Sequence, residues 1–276
     1  MIIQKKAYAK INLYLKILDK RPDGYHNIYT VMQKISLADE IKISVIRGAG
    51  DITIACSGMA ETVPVNKTNT AYKAAAAFLS RAGISGFDIG LEITKNIPSQ
   101  AGLGGGSSDA ASVLLALNEH FGCILPGNEM LDTAAAIGAD VPFFVVGANC
   151  AVCEGIGEII TPAAKELPGA YCLIVKPVYN ISTKRAYDDF DKYRGSGDAP
   201  AFGIYNDFAA PIFSRNKNIE RIYDLINESG AAAAGLSGSG SALFGIFGAY
   251  DGAKECAEAI KLRDDIEFCD VFEFLC

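Results

Sequence analysis

Hydrophobic and polar residues alternate along the first part of the chain. The apolar positions are Ile11, Leu13, Leu15 and Ile17, and Lys10, Asn12, Tyr14 and Lys16 lie between them. A period of two is typical of a β-strand with one buried face. Lys10 and Asn12 are therefore expected to project from the same face of this strand.

The rest of the chain mixes alternating segments with segments of helical periodicity. Strands are predicted at 40–46, 51–57, 87–97 and 171–177, with the first two forming a hairpin around 48–50. The glycine- and serine-rich segment 235–247 is predicted to lead into a further strand. Helices are predicted at 70–82, 107–121, 129–137, 183–192, 215–230 and 250–262, several of them closed by a glycine. A turn is predicted at 19–27 and a loop or linker at 194–203. Because strands and helices do not alternate strictly, the pattern favours an α+β architecture of two lobes.

Composition narrows the classes of protein that fit. The 276 residues are 50% hydrophobic and 21% charged, which is typical of a folded globular chain rather than a disordered one. The formal net charge of −7, without a basic tail, argues against a nucleic-acid partner but not against a small phosphorylated substrate. The apolar runs are too short for a membrane span, and lysines interrupt the N-terminal segment, so we expect a cytoplasmic protein with no membrane partner.

The cysteines do not form a recognisable framework. Of eight, only Cys150 and Cys153 lie in a C-x-x-C pattern, and the chain has two histidines, neither of them close in sequence. A zinc site would need a second pair of ligands. We therefore expect buried thiols that stay reduced.

The segment PSQAGLGGGSSDAAS, residues 98–112, is the strongest candidate for chemistry. It fits neither the Walker A pattern nor the G-x-G-x-x-G dinucleotide pattern. Glycines followed by a helix N-terminus nevertheless offer backbone N–H donors to an anion. Ser107 and Ser108 could cap the helix or donate hydroxyls to phosphate and magnesium, and Asp109 is predicted to stabilise the first turn, facing away from the ligand. The alternative is a simple strand-to-helix turn, although four glycines exceed what a turn requires.

This segment resembles the Pro-x-x-x-Gly-Leu-Gly-Gly-Gly-Ser-Ser-Asn/Asp-Ala-Ala signature of the GHMP kinase superfamily. Residues 7–15 and 235–247 resemble the N-terminal and C-terminal motifs of the same superfamily. The resemblance implies a two-lobed α+β fold with its active site in the cleft, divided into an ATP-binding lobe at 1–155 and a substrate-binding lobe at 156–276. It also implies that ATP, with Mg²⁺, is bound by Pro98, Ser99, Gln100, Ala101, Gly102, Leu103, Gly104, Gly105, Gly106, Ser107 and Ser108.

Four further segments narrow the resemblance from the superfamily to one of its branches. One branch of the GHMP kinases phosphorylates the 2-hydroxyl of a cytidine-diphosphate-linked methylerythritol in non-mevalonate isoprenoid synthesis. The chain resembles this branch at residues 9–15, 21–41 and 138–158. Asn206–Asp207 also falls where the branch often carries Asn-Asp. This resemblance implies that Lys10 and Asp140 are the catalytic pair. It places Asn12, Tyr25, His26, Thr183 and Tyr187 around the substrate, with His26 reading the cytosine, Tyr25 beside the ring, Thr183 supplying a hydroxyl and Tyr187 an aromatic lid. Met32, Ser99 and Gln100 depart from some members.

Phosphoryl transfer needs an activated hydroxyl and neutralisation of charge on the transferring group. As a general base, Asp140 could contribute about 10²–10⁴-fold, and Lys10 could neutralise the developing charge. Taken alone, Lys10 could be a solvated strand lysine, Asp140 a turn residue and His26 an exposed turn histidine.

Two rival functions remain at this stage. One is a GHMP kinase for homoserine, mevalonate or a sugar, and the other is a nucleotide-sensing regulator without activity. The sequence does not identify the residues that would bind Mg²⁺. The chain is expected to be a monomer or a weak homodimer.

Overall fold

The structure is a computed structural model that describes residues 1–163, 169–193, 200 and 203–276. The predicted linker at 194–203 lies, apart from residues 200 and 203, outside the described residues.

Eleven strands and eight helices are present in the described residues. The strands are β1 Ile2–Lys20, β2 His26–Arg47, β3 Ile52–Gly58, β4 Phe87–Lys95, β5 Cys150–Glu154, β6 Ile159–Pro162, β7 Tyr171–Pro177, β8 Tyr205–Asn206, β9 Ala233–Leu236, β10 Leu243–Phe247 and β11 Ile266–Glu273. The helices are α1 Thr70–Arg81, α2 Gly105–His120, α3 Gly127–Ile137, α4 Val141–Val146, α5 Thr183–Lys192, α6 Ala209–Arg215, α7 Lys217–Glu228 and α8 Tyr250–Lys261. The predicted helix at 183–192 is confirmed with its boundaries, and the other five predicted helices are present within a few residues.

Two sheets organise the chain, which confirms the α+β class. The larger sheet has seven strands in the order β3-β4-β2-β1-β8, with β5 paired to β2 and β6 paired to β5. The smaller sheet has the order β11-β7-β10-β9 and is antiparallel throughout. β8, from the second half of the chain, joins the larger sheet by pairing parallel to β1.

The predicted hairpin between 40–46 and 51–57 is wrong. β4 lies between the two strands, pairing antiparallel with β2 and parallel with β3. A parallel pair needs a crossover, and α1 supplies it between β3 and β4. Alternation identifies strands, but it does not identify which strands pair with one another.

β1 is longer than predicted, and its central part is buried on both faces. Lys10 is 3% exposed and Asn12 is 2% exposed, although both alternate with core residues. The apolar side chains Ile11 and Leu13 pack in a core between the two sheets. Residues 98–108, which we call the glycine segment, cover the polar face, since a Cβ on Gly104 would lie 3.0 Å from Cγ of Lys10. At the edge of the strand, Lys10 N–H donates to the Leu103 carbonyl at 3.0 Å.

Three apolar cores hold these layers together. One lies between helices α1–α4 and the larger sheet and includes Phe78, Leu91 and Leu114. A second packs helices α5–α8 against the smaller sheet. The third joins the sheets, and it includes Ala101 and Leu103 of the glycine segment. That segment is thereby fastened to the centre of the molecule.

Two local details differ from expectation. α2 begins at Gly105, after a left-handed Gly104 with φ of 72°, and no side chain caps it. Ser107 and Ser108 therefore lie inside the first turn rather than at its cap. The short α4 was not predicted; it begins just after Asp140 and carries Pro142 in its first turn, a position where proline is tolerated.

The thiols are only partly as expected. Five cysteines are buried, including Cys150 and Cys153, but Cys56 is half-buried and Cys123 and Cys276 are exposed. Separately, among the described residues no helix is both long enough and apolar enough to span a bilayer.

Candidate active site

The two glycine- and serine-rich motifs, at 98–112 and 235–247, meet at one place in the fold. Ser237 Oγ donates to the Gly102 carbonyl at 2.9 Å. A Cβ on Gly102 would lie 2.0 Å from the Ser237 carbonyl oxygen, and the φ of Gly102 is +75°. Only glycine permits this contact, so the loop after β4 and the loop after β9 interlock through their backbones.

Gly104 also packs closely against β1 and α4, although less tightly than Gly102 packs against Ser237. A Cβ there would lie 3.0 Å from Cγ of Lys10 and 3.1 Å from Cζ of Phe144. The glycine segment is thus not a free turn, because it packs directly against the lysine predicted to be catalytic.

A cavity of about 370 Å³ lies on one side of this segment. We call it the loop cavity; it is lined by Thr62, Val63, Pro64, Thr68, Asn69, Thr70, Lys95, Ile97, Asp109 and the segment from Pro98 to Ser107. Every predicted nucleotide-binding residue except Ser108 borders it. Ser108 is 2% exposed and borders a different, smaller cavity.

A second cavity, of about 580 Å³, lies on the other side of the segment. We call it the cleft cavity. Its lining includes Lys10, Asn12, Tyr25, His26, Asp140, Thr183 and Tyr187. The structure therefore brings together all the residues predicted to be catalytic or substrate-binding, from four separate parts of the sequence. Gln100, Gly102 and Gly104 border both cavities.

Lys10 and Asp140 form an ion pair in the cleft cavity. Lys10 Nζ lies 3.5 Å from Asp140 Oδ2, and the side chains are 4% and 30% exposed, respectively. Asp140 precedes the first turn of α4, where its side chain makes no capping hydrogen bond. Its carboxylate is therefore available to a ligand in the cleft, while the lysine ammonium is shielded from water.

A chain of hydrogen bonds fixes Asn12 beside this pair. Lys10 Nζ donates to Asn12 Oδ1 at 2.6 Å, and Asn12 Nδ2 donates to Thr30 Oγ1 at 2.8 Å. Thr30 Oγ1 in turn donates to the Tyr14 carbonyl at 2.6 Å. Thr30 was not predicted, because nothing local distinguishes a threonine that orients a neighbouring strand from one that packs.

His26 is 7% exposed and is therefore not a solvated turn residue. Its Nε2–H donates to Asp191 Oδ1 at 2.9 Å. A hydrogen bond from Lys20 lowers the pKa of Asp191 below the usual carboxyl value. Asp191 lies 165 residues away and was missed, because only the packing of α5 against the turn brings the two together.

Tyr187 stacks directly on His26. Their ring centroids are 4.9 Å apart and the rings are within 12° of parallel. Burial raises the pKa of Tyr187 to about 12. A nucleobase cannot lie between two rings already in contact, so a base in this arrangement would lie towards Tyr25, which is 62% exposed at the rim.

Thr183 is joined to the second glycine- and serine-rich motif, at 235–247. Its Oγ1 lies 3.2 Å from Ser239 Oγ. The backbone of that motif is held from below by Asn206, whose Nδ2 donates to the carbonyls of Leu236 and Gly238 at 2.7 and 2.8 Å. Asn206 thus supports the wall of the cleft without reaching into it.

A buried charged cluster supports the glycine segment from beneath. Lys95 Nζ donates to Asp109 Oδ2 at 2.6 Å and also to Asp39. Asp39 Oδ1 accepts from the backbone N–H groups of Asn96 and Ile97 at 2.6 and 2.8 Å. Burial raises the pKa of Asp109. The prediction that Asp109 is a first-turn residue is wrong, because it lies in the second turn of α2. Its carboxylate is buried against Lys95, at the border of the loop cavity.

Met32 and Gln100, which differ from the residues of some family members, both lie at the cleft cavity. Met32 is 1% exposed and lies opposite Asn12 in the β1–β2 ladder, so it forms part of the cleft floor. Gln100 has a φ of 51°, unusual for a residue other than glycine. Its left-handed conformation places it at the junction of the two cavities.

Comparisons with known proteins agree with this geometry. Models of the GHMP kinase N-terminal and C-terminal domains match residues 69–148 and 192–264. The chain is 40% identical to a 4-diphosphocytidyl-2-C-methyl-D-erythritol kinase of Geobacter metallireducens, covering 94% of each chain. It matches a crystal structure of 4-(cytidine 5'-diphospho)-2C-methyl-D-erythritol kinase with a TM-score of 0.81 and 30% identity, covering 98% of this chain and 99% of the other. A Methanococcus jannaschii mevalonate kinase shares the fold at a TM-score of 0.70 and 16% identity, covering 100% and 98%.

Proposed function

The chain belongs to the GHMP kinase family, in its branch of 4-diphosphocytidyl-2-C-methyl-D-erythritol kinases, and we propose that it transfers the γ-phosphoryl group of ATP to the 2-hydroxyl of that substrate. The reaction serves the non-mevalonate route to isoprenoid precursors. The observation that carries this proposal is the cleft cavity, because residues from four distant segments converge there on an ion pair.

ATP is the co-substrate of this family, and the loop cavity is where we propose that it binds. The triphosphate would lie along the glycine segment, whose backbone N–H groups and following helix N-terminus favour an anion. Gln100, Gly102 and Gly104 border both cavities, so a γ-phosphoryl group at this boundary would face the acceptor. Ser99 and Ser107 are the hydroxyls of the segment that border the loop cavity, whereas Ser108 borders another cavity.

The chemical step follows from the Lys10–Asp140 pair. Asp140 accepts the proton of the acceptor hydroxyl as the new O–P bond forms and the bond to the ADP oxygen breaks. Lys10 neutralises charge on the transferring group, and its burial against Gly104 strengthens that interaction because water is excluded. Asn12 holds the ammonium in place through its 2.6 Å hydrogen bond.

The cytidine end is assigned to the opposite part of the cleft cavity. His26, oriented by Asp191 and stacked on Tyr187, presents a fixed imidazole edge to a base. Tyr25 lies at the rim, where its ring can cover that base. The Thr183 hydroxyl, 3.2 Å from Ser239, can donate to the substrate between the two ends.

Magnesium is proposed to enter with the triphosphate. Among the described residues no three carboxylate, histidine or cysteine side chains are grouped so that they could hold a metal ion. Mg²⁺ at phosphoryl-transfer sites is held largely by phosphates and water with one or two protein oxygens, so such a cage is not required. Ser107, which borders the loop cavity, is an oxygen donor of that kind, whereas the Asp109 carboxylate is already held by Lys95. The ion would neutralise the β- and γ-phosphate charge.

The direct test is a substrate panel with the purified protein, ATP and Mg²⁺. We expect ADP release with 4-diphosphocytidyl-2-C-methyl-D-erythritol and none above background with mevalonate or homoserine. Phosphate on the 2-hydroxyl should be located by NMR of the product. ADP release with mevalonate or homoserine alone would support the rival kinase, and none with any acceptor would support the regulator.

Three further properties stay predictions. They are the lobe boundary at 155/156, a monomeric or weakly dimeric state, and a cytoplasmic location.

A further inference from the structure

A small cavity of about 200 Å³ lies behind the catalytic cleft, on the opposite side of Phe144. Its polar lining consists of Lys6, Tyr8, Lys34, Ser108 and Ser112. We call it the Lys34 cavity. It shares no lining residue with the loop cavity or the cleft cavity, so it is a separate site within the described residues.

Lys34 is the unusual member of this lining. It is 7% exposed, and no hydrogen bond or ion pair of its ammonium is found in the part of the chain that the structure describes. The ammonium lies 5.3 and 5.7 Å from the ring centres of Phe143 and Phe144. Burial lowers the pKa of Lys34 to about 8. Aromatic faces stabilise a cation, but they do not replace a counter-ion.

The other groups around Lys34 match the needs of an anion. Lys6 adds a second positive charge, and Tyr8, Ser108 and Ser112 contribute hydroxyl donors. No aspartate or glutamate of the described residues lines the cavity. Glu40 lies opposite Lys6 in the β1–β2 ladder, but it borders another cavity, on the other side of Lys6.

The size of the cavity limits the ligand. A volume of about 200 Å³ is several times the roughly 30 Å³ that one water molecule occupies in the liquid. It can hold a tetrahedral oxyanion, and it is about half the volume of the loop cavity proposed for ATP. We propose that the Lys34 cavity binds a phosphate group, either as free phosphate or as part of a small phosphorylated metabolite.

The position of this site connects it to the catalytic cleft. Lys34 pairs directly with Lys10 across the β1–β2 ladder. Phe144 lies between Lys34 and Gly104, and Ser108 belongs to the first turn of α2. An anion here would therefore touch the elements that carry both the glycine segment and Asp140, without entering either substrate cavity.

The test is calorimetric titration of inorganic phosphate into the protein saturated with a non-hydrolysable ATP analogue, so that the glycine segment is already occupied. We expect saturable binding that weakens at least about tenfold in Lys34→Met, since charge-assisted hydrogen bonds contribute about this much or more. Ser112→Ala should weaken it by a few-fold. The matched control is Lys42→Met, which removes an exposed lysine of the same strand and should leave phosphate binding unchanged.

Three outcomes would overturn the proposal. The first is no phosphate binding to the analogue-saturated wild-type protein at 10 mM phosphate, which is about 100-fold above a dissociation constant of about 0.1 mM. The second is equal phosphate affinity in Lys34→Met and wild type. The third is an equal loss of phosphate affinity in Lys34→Met and Lys42→Met. If Lys34→Met does not fold by circular dichroism, Ser112→Ala and Lys34→Arg decide the question, and only the first should weaken binding. A parallel titration with glycerol 3-phosphate distinguishes the sources, because tighter binding than phosphate indicates a phosphorylated metabolite and weaker binding indicates the free ion.

Discussion

The loop cavity and the cleft cavity share part of their lining, but one is lined mainly by backbone and the other mainly by side chains. At the loop cavity, Gly102 approaches the Ser237 carbonyl too closely for any side chain, and Gly104 packs tightly against Lys10 and Phe144. The cleft cavity is formed by side chains that hold one another, such as Lys10 with Asn12 and Asp140, or His26 with Asp191 and Tyr187. The charged side chains at the two cavities also have different roles. Lys95 and its carboxylates support the loop, whereas Lys10 and Asp140 face a ligand.

This difference predicts how substitutions should behave. Changes in the cleft should alter chemistry or acceptor affinity while the fold persists, because its polar groups are arranged on rigid strands and helix ends. Changes beneath or within the loop should alter stability and nucleotide binding together, because the loop is fastened to the core between the sheets. The following substitutions test that separation.

The largest effect is expected for Asp140→Asn. Removing the proton acceptor should reduce kcat by about 10²–10⁴-fold, while the dissociation constant of ATP changes little because the loop cavity is untouched. Single-turnover assays and nucleotide titration measure the two quantities. Asp132→Asn, an exposed change on α3, is the matched control and should behave as wild type. A kcat close to wild type in Asp140→Asn would contradict the assigned role.

Next in size is Lys95→Met, which should act on stability. It leaves the buried carboxylates of Asp39 and Asp109 without their ammonium partner. Breaking a buried ion pair on one side typically costs about 3–5 kcal/mol, so the free energy of unfolding should fall by that amount in urea titrations. Lys42→Met breaks only an exposed pair with Glu92 and should cost less than about 1 kcal/mol. Equal losses in the two variants would show that the cluster does not support the loop.

A smaller loss is expected for Gly102→Ala. The added methyl would meet the Ser237 carbonyl, and the positive φ disfavours alanine, so the two loops must separate. Overpacking of this kind typically costs about 1–3 kcal/mol, and ATP binding should weaken with it. Gly127→Ala places a methyl in open space at the start of α3 and should not lower the melting temperature. Unchanged nucleotide affinity in Gly102→Ala would mean that the backbone contact does not shape the loop cavity.

The same contrast explains what could be predicted from sequence. The glycine segment was recognisable because a backbone requirement leaves glycine at fixed positions, and Gly102 and Gly104 meet that requirement in the structure. The helix at 183–192 was predicted with its boundaries, and in the structure the Ser182 side chain caps its first turn.

What sequence reasoning missed depends on contacts between distant segments. The pairing of β3 with β4, the hydrogen bond from His26 to Asp191, and the contact of Lys95 with Asp39 have no local signal. Asp109 was misread for the same reason, because its partner Lys95 lies on another element. The residues of the cleft cavity were predicted only from the resemblance to a family, and their distances and contacts became known only from the structure.

The smallest of these effects, and the most specific, is expected for His26→Ala. Loss of one base-reading group should raise the KM for the cytidine substrate by about tenfold, with little change in the KM for ATP. His120→Ala is the matched control, because the second histidine lies at the end of α2 against Phe121 and far from the cleft lining. Tyr187→Phe keeps the ring stacked on His26 and should therefore preserve acceptor affinity better than His26→Ala does. If His26→Ala instead raised both KM values equally, the cleft would not be divided from the loop cavity in the way its architecture indicates.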